Sequence, residues 1–326
     1  MNSTNAINAN KTNPKQSRTF IQVVEIWTPT ADLKKLTLVD GLFNGNENFQ
    51  RQSQKRCFSY NEGLPGKAWS SARPQIIRNI AFSFLRRKEE AIKAGLNSAI
   101  AIPIFTGEFL QAVVVFLCGE DEDHSGAIEL WGTNTKSRTK LSLLDGYYGN
   151  LKTFEWVSKQ LMFSKGSGLP GNVWNSLMPE IISELGNSTS FERAKNAKEA
   201  NITTGLGIPI RNYLGEEYVL TFLSAMGTPI ARHFEIWIPD KTNQHLILFS
   251  SHSDGEKTNN TNDTIEIKRG QGLLGIVWMT GCPAVSHNLI EDGIPINEDS
   301  PTGYNSALIM PINDEGKLRA IVNFIF

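Results

Sequence analysis

The stretch GLPGKAW, Gly63–Trp69, occurs three times in this chain: GLPGNVW covers Gly168–Trp174 and GLLGIVW covers Gly272–Trp278. Its first glycine returns after 105 and then 104 residues (63 to 168, 168 to 272), too regularly for unrelated turns. Three copies of one unit of roughly a hundred residues are implied. The glycines permit a positive φ or a close backbone approach, and Pro65 and Pro170 fix φ between them. Such a turn launches a short helix whose first residues anchor Trp69, Trp174 or Trp278. It is not a phosphate loop, because neither G-x-x-x-x-G-K-[ST] nor a close G-x-G-x-x-G is present.

Working outward, each copy opens on a strand-like run: FIQVVEIW (Phe20–Trp27), GAIELWG around Trp131 and ARHFEIWIP around Trp237. A glutamate stands two residues before each tryptophan: Glu25, Glu129 and Glu235. Period-two geometry puts each Glu and Trp on one strand face, expected to be solvated or covered by a partner. No convergent acid or base accompanies them, so a catalytic role is not expected. After the turn, Pro74, Pro179 and Pro283 precede short apolar segments. Unit one then carries a helix pattern over Phe82–Gly95, with Leu85, Lys88, Ile92 and Leu96 on one face. Unit two has a poorer version with Ser190 as N-cap before Phe191, and unit three reads as polar loop there. Paired strands close each unit. Pro103, Pro209 and Pro311 hold the same place in them, which suggests a bulge or an edge position.

The 326 residues divide as a tail, 1–19, and three units, 20–120, 121–227 and 228–326. A composition 40% hydrophobic and 20% charged, with net charge -1, is that of a soluble globular protein. Neither a nucleic-acid partner nor an anionic membrane is expected. Three cysteines without a C-x-x-C pair fit a reducing, cytoplasmic setting and argue against a thiolate metal site. No apolar run approaches the ~20 residues of a membrane helix. Met1–Thr19 reads as a disordered tail; its Lys11, Lys15 and Arg18 leave a transit segment as the alternative.

Together these marks resemble the GAF family of small-molecule-binding sensor domains. They are EIW, the turn G-x-G-L-P-G-x-x-W, then F-x-R…A…G, and a terminal PI…(V/L)xxF hairpin. Unit two shows them at Ser167–Trp174, Phe191 and Arg193; unit one at Glu62–Trp69, Phe84, Arg86 or Arg87, Ala91 and Gly95. Unit three keeps Gln271–Trp278 and has lost the helix marks. The resemblance implies an α+β fold: a central antiparallel sheet with few short helices on one side and a ligand cavity under loops. It also implies binding of cyclic nucleotides, bilins, haem or amino-acid-like molecules, or, in a few members, reduction of free methionine sulfoxide. The family's long flanking helices have no room here, since GEDEDHSGAI and SAMGTPIARHF are the only links. Bare sheet faces then pack on one another, or a second subunit covers them. A third arrangement joins the last hairpin of one unit to the first strands of the next and moves the domain boundaries.

In the roof of such a pocket, Arg193 and Arg86 or Arg87 could meet a carboxylate or phosphate; the alternative is an ordinary solvated helix charge. Trp69, Trp174 and Trp278 line the pocket or anchor the turn. His287 is either ligand-facing or a polar surface residue. The five histidines lack metal spacing; His233 reads as an outward strand residue and His124 as a solvated linker residue. Cys282 is the best placed cysteine for thiol chemistry but has no resolving partner. Asn259–Asn262 reads as a loop insertion. No catalytic residue, metal site or cofactor is legible. The expected function is a non-enzymatic sensory or regulatory protein that binds a small molecule and/or a protein partner, with self-association. A ligand-free scaffold and a divergent thiol-dependent reductase are the alternatives. Unit three, without the roofing helix, is the unit expected to have lost a ligand.

Overall fold

The computed structural model describes residues 19–119, 126–134, 137–225, 228–253, 265–295 and 304–326. Most of the expected tail, His124 and Asn259–Asn262 lie outside them. Unit one contains β1 (Ile21–Pro29), β2 (Lys35–Leu42), β3 (Cys57–Ser59), β4 (Gln75–Ile77), β5 (Leu96–Thr106) and β6 (Phe109–Gly119). Its helices are α1 (Glu47–Gln54), α2 (Gly63–Ser71) and α3 (Lys88–Lys93). Unit two repeats this with β7 (Gly126–Asn134), β8 (Ser137–Tyr147), β9 (Met162–Phe163), β10 (Glu180–Ile182), β11 (Ile202–Arg211) and β12 (Glu217–Ala225). Here the helices are α4 (Lys152–Gln160), α5 (Gly168–Ser176) and α6 (Ala194–Glu199). Unit three has β13 (His233–Pro239), β14 (His245–Ser253), β15 (Glu266–Lys268), β16 (Ala284–Ser286), β17 (Ala307–Asp314) and β18 (Lys317–Ile325). Among its described residues α7 (Gly272–Thr280) is the one helix.

Each unit forms one six-stranded antiparallel sheet, β3-β2-β1-β6-β5-β4 in the first, and the other two repeat that order. The chain is therefore three repeated α+β units with the expected GAF-like topology. Every sheet takes its strands from one consecutive stretch of chain. Pro103, Pro209 and Pro311 lie on β5, β11 and β17 beyond the last residues paired to β4, β10 and β16. Each is locally at an edge and costs no ladder bond.

The pleat sorts each strand's residues to two cores. On β6, Val113, Val115 and Leu117 face the helices of their own unit, while Ala112, Val114, Phe116 and Cys118 face a core shared by all three units. On β12, Leu220 and Phe222 enter the shared core, and on β18 Val322 and Phe324 do. Phe116, Phe222 and Phe324 form a triangle with ring centroids 5.6, 5.5 and 6.2 Å apart. Of the ways to cover a bare sheet face, this chain packs its three sheets on one another.

The packing is cyclic. β4 meets β8, β10 meets β14, and β16 meets β2, so each unit touches the next and the third closes on the first. At the first seam Arg78 pairs with Asp145 at 2.6 Å; at the closing seam His287 Nε2 lies 2.9 Å from Asp40. The register makes Asp40, Asp145 and Ser250 equivalent, opposite Ile26, Leu130 and Ile236. The middle seam has Thr204 Oγ1 3.1 Å from His252 Nε2 and, at the hairpin ends, Arg211 paired with Asp314 at 3.0 Å.

The repeated glycines have two separate tasks. Gly63, Gly168 and Gly272 have φ of +61°, +59° and +58°, which only glycine adopts without strain. A Cβ on Gly66, Gly171 or Gly275 would meet the carbonyl oxygen of Ser59, Ser164 or Lys268 at 2.2, 2.1 and 2.3 Å. The turn is itself the first turn of α2, α5 and α7 rather than a lead-in to them.

Two helix expectations are corrected. Phe82–Gly95 is not one helix: a 3-10 turn covers Ile80–Phe82, α3 begins only at Lys88, and Phe82 is 91% exposed. In unit two Arg193, not Ser190, is the N-cap, and α6 starts at Ala194. In both units an inward-turned arginine, Arg87 or Arg193, stands at the N-cap of the short helix.

Candidate functional site

Glu25, Glu129 and Glu235 sit on the helix-side face of the first strand of each sheet, one residue out of phase with the shared core. All three are fully buried, which corrects the expectation of a solvated or partner-covered face. Their carboxylates need internal partners, because an unpaired buried charge is costly. The first is the same each time. The indole Nε1 of Trp27, Trp131 and Trp237 donates to Oε2 of the glutamate two residues earlier, at 3.0, 3.1 and 2.8 Å.

The second partner differs. In unit one Arg87 places Nη1 on Oε1 and Nη2 on Oε2 of Glu25, the latter at 2.9 Å. Ser53, from the last turn of α1, donates to Oε1 at 2.6 Å. In unit two Arg193 forms the same fork on Glu129, with Nη2 2.8 Å from Oε2. Tyr148 and Thr221 add bonds of 2.9 and 2.8 Å. Both guanidinium groups lie over aromatic rings, Arg87 4.7 Å from Phe49 and Arg193 4.6 Å from Phe154. Each arginine is 1% exposed.

These partners set the charge state of Glu129. Burial pushes its pKa up, but the charge of Arg193 and the hydrogen bonds from Arg193, Thr221 and Tyr148 outweigh that, leaving it below the ordinary glutamate range. Burial also pushes the Tyr148 phenol up, and the Glu129 charge adds to it.

Unit three has no arginine at this place among its described residues. Glu235 receives Asn323 Nδ2 on Oε2 at 2.9 Å and has His233 Nε2 3.3 Å from Oε1. His233 Nδ1 lies 2.6 Å from Ser253 Oγ. His233 is 5% exposed, so the outward placement expected for it is corrected.

The other candidates scatter. Arg86 is exposed and pairs with Glu62 at 2.7 Å; its neighbour Arg87 is the inward one. Trp174 is buried and donates from Nε1 to Glu217 at 2.7 Å, under Lys165. Trp69 is partly buried edge-on to Tyr60. Trp278 lies below Arg269, 4.6 Å from its ring, and borders a cavity of about 600 Å³ with Arg269, Lys317, Arg319 and Thr106 of unit one. His287 serves the closing seam. Arg193 and Trp278 thus belong to different places, and no single pocket gathers the six candidates. The sequence reading left Arg86 and Arg87 undecided, placed His233 outward, missed Asn323, and gave the three glutamates no internal role. The usable signal was the Glu-x-Trp pair, since a large indole beside a carboxylate on one face asks for burial.

Cys118 is buried and its thiol is pushed up by that burial; Cys282 is half-buried and also raised by burial. Among the described residues no three His, Cys, Asp or Glu side chains gather to hold a metal, and no helix is long and apolar enough to cross a membrane.

No protein-family model and no curated protein matches this chain. Among solved structures it is similar to the GAF domain of A. aeolicus nlh2 in an inactive state, at 17% identity and TM-score 0.26. That likeness covers 31% of this chain and 60% of the other, so less than two thirds of that relative is spanned. It is also similar to NreA from Staphylococcus aureus mutated in its nitrate binding site (20% identity, 33% and 80% covered, TM-score 0.27). A third is the GAF domain of an Acinetobacter phosphoenolpyruvate-protein phosphotransferase (14% identity, 32% and 58% covered, TM-score 0.24). Each spans about one unit and concerns the fold alone.

Proposed function

We propose that this chain is a non-enzymatic regulatory protein in which three GAF-like units, 20–120, 121–227 and 228–326, build one body and unit three is its ligand-responsive member. One observation carries this: the buried glutamate is closed by an internal arginine fork in units one and two and, among the described residues, not in unit three. Units one and two are then structural, their interiors occupied by their own Arg87 and Arg193. The reading reverses the expectation that unit three is the one without a ligand. It also favours a small-molecule or protein partner over thiol chemistry, because burial keeps Cys282 protonated.

Native mass spectrometry of freshly purified full-length protein, before and after denaturation, tests the proposal. One small molecule released on denaturation is expected, and its retention should be reduced by Glu235→Gln and untouched by Arg86→Ala. A chain whose mass is the same in both states, and which captures nothing from a metabolite mixture, would leave the scaffold reading in its place.

A further inference from the structure

The same buried carboxylate occurs three times in one chain, so two copies serve as the reference for the third. In the references, a guanidinium group lies across both carboxylate oxygens and over an aromatic ring. In unit three Glu235 keeps the tryptophan partner and the burial, and among the described residues Trp237 and Asn323 reach Oε2 and His233 reaches Oε1, with no guanidinium fork. His233 reaches one oxygen from along its own strand, at 3.3 Å, and its other ring nitrogen is 2.6 Å from Ser253.

A second observation points the same way. Asn323 stands opposite Glu235 in the strand pairing, where the references have Val115 and Thr221. It is fully buried, and its Oδ1 has no hydrogen-bond partner among the described residues. Turning the amide over does not help, because the oxygen would then face the Glu235 carboxylate. A buried acceptor in that state costs stability unless a donor arrives. Val or Thr would have avoided the cost at this position, as they do in the other units.

Two acceptors, one charged and one neutral, thus lie on the strand pair whose glutamate, in the repeats, carries a guanidinium. We infer that unit three binds an organic cation, a guanidinium or primary ammonium group on a short alkyl stem, at Glu235 and Asn323. Charge-assisted bonds to Glu235, a bond to Asn323 Oδ1 and a cation–π contact with Trp237 would hold it as Arg193 is held by Glu129 and Trp131. This rests on the proposal that unit three is the ligand-responsive unit, and it names the chemistry of the ligand.

The test is calorimetric titration of the full chain with ethylguanidine and with ethylamine, against sodium chloride at matched ionic strength. One site per chain is expected, filled more tightly by ethylguanidine, and weakened at least about tenfold in Glu235→Gln and in Asn323→Leu. Should Glu235→Gln not fold, Asn323→Leu and the wild type decide: bound ethylguanidine should shift the Asn323 side-chain amide and the Trp237 indole resonance and leave those of Trp27 and Trp131 in place. No binding of either cation, or binding in both variants equal to that of the wild type, would overturn the inference. A retained molecule without positive charge in the mass-spectrometric experiment would overturn it as well, while leaving the ligand-responsive role of unit three standing.

Discussion

Arg193 lays both terminal guanidinium nitrogens on Glu129, 64 residues before it, with Nη2 2.8 Å from Oε2 and both side chains withdrawn from solvent. Arg87 and Glu25 repeat the arrangement in unit one. The strand glutamate and the arginine at the N-cap of the short helix therefore close the interior of these units together.

Arg193→Met should cost about 3–5 kcal/mol, because it strands a buried carboxylate. Combining it with Glu129→Gln should recover most of that loss. Urea denaturation of the two single variants and the double variant measures the coupling. Additive losses would show that the pair does not act as one unit.

Acid should attack the same place. Glu129 has a folded pKa depressed below its unfolded value, about 4.3, so the stability it contributes is present above that value and is lost as pH falls through the folded pKa. Asp314, where burial is outweighed by Arg319 and Arg211, has the same sign. Between pH 7 and 5 these groups should leave stability flat, with the decline beginning below about pH 4. Denaturant midpoints collected across pH should show a shallower acid decline in Arg193→Met, because Glu129 there has lost the cation that holds its folded pKa down.

The shared core should be the mechanical centre. Phe222→Ala opens a cavity between the three sheets and should cost about 3–5 kcal/mol. Phe82→Ala, at a side chain 91% exposed, should stay within about 0.5 kcal/mol. Seam contacts such as His287–Asp40 are solvent-exposed and should contribute only about 0–1 kcal/mol each. Denaturation of these variants, followed by both fluorescence and circular dichroism, should lose all three units in one transition; separate transitions would deny a common core.

The two glycine tasks are separable. Gly166, two residues before Gly168, also has a positive φ, +79°, with no atom within 4 Å of an added Cβ, so Gly166→Ala carries only that strain, about 1–2 kcal/mol. Gly171→Ala drives a Cβ to 2.1 Å from the Ser164 carbonyl oxygen and should be clearly worse. Thermal melts rank them, and a Gly171→Ala as stable as Gly166→Ala would remove the close-approach explanation of the motif.

Thiol labelling separates a binding protein from a thiol enzyme. Cys57 is exposed and should react first with an aromatic disulfide, half-buried Cys282 more slowly, and Cys118 only on unfolding. A Cys282 faster than Cys57 would revive the reductase reading.

How far the sequence reached follows from these residues. The GLPG repeat was legible because glycine has two physical uses, and both are exercised three times. The strands and edge prolines were legible from alternation and from the missing amide. The arginine fork was not, because Arg87 and Arg86 are neighbours of identical type, and only the three-dimensional path of a short non-helical segment decides which one turns inward. Asn323 was hidden because its partner Glu235 lies 88 residues away on another strand, and His233 because one of its two partners, Ser253, lies on the neighbouring strand. The cyclic closure of the units had a trace in the short links GEDEDHSGAI and SAMGTPIARHF, which left the sheet faces without helices.

The most direct measurement is the number of ethylguanidine molecules bound per chain, read from calorimetric stoichiometry for the wild type and for Arg193→Gly. One in the wild type and two in the variant are expected, because removing the Arg193 side chain should give Glu129 the same unforked carboxylate that Glu235 has. None in the wild type, or a count unchanged in a folded Arg193→Gly, would contradict the assignment of two self-filled units and one that takes its cation from outside.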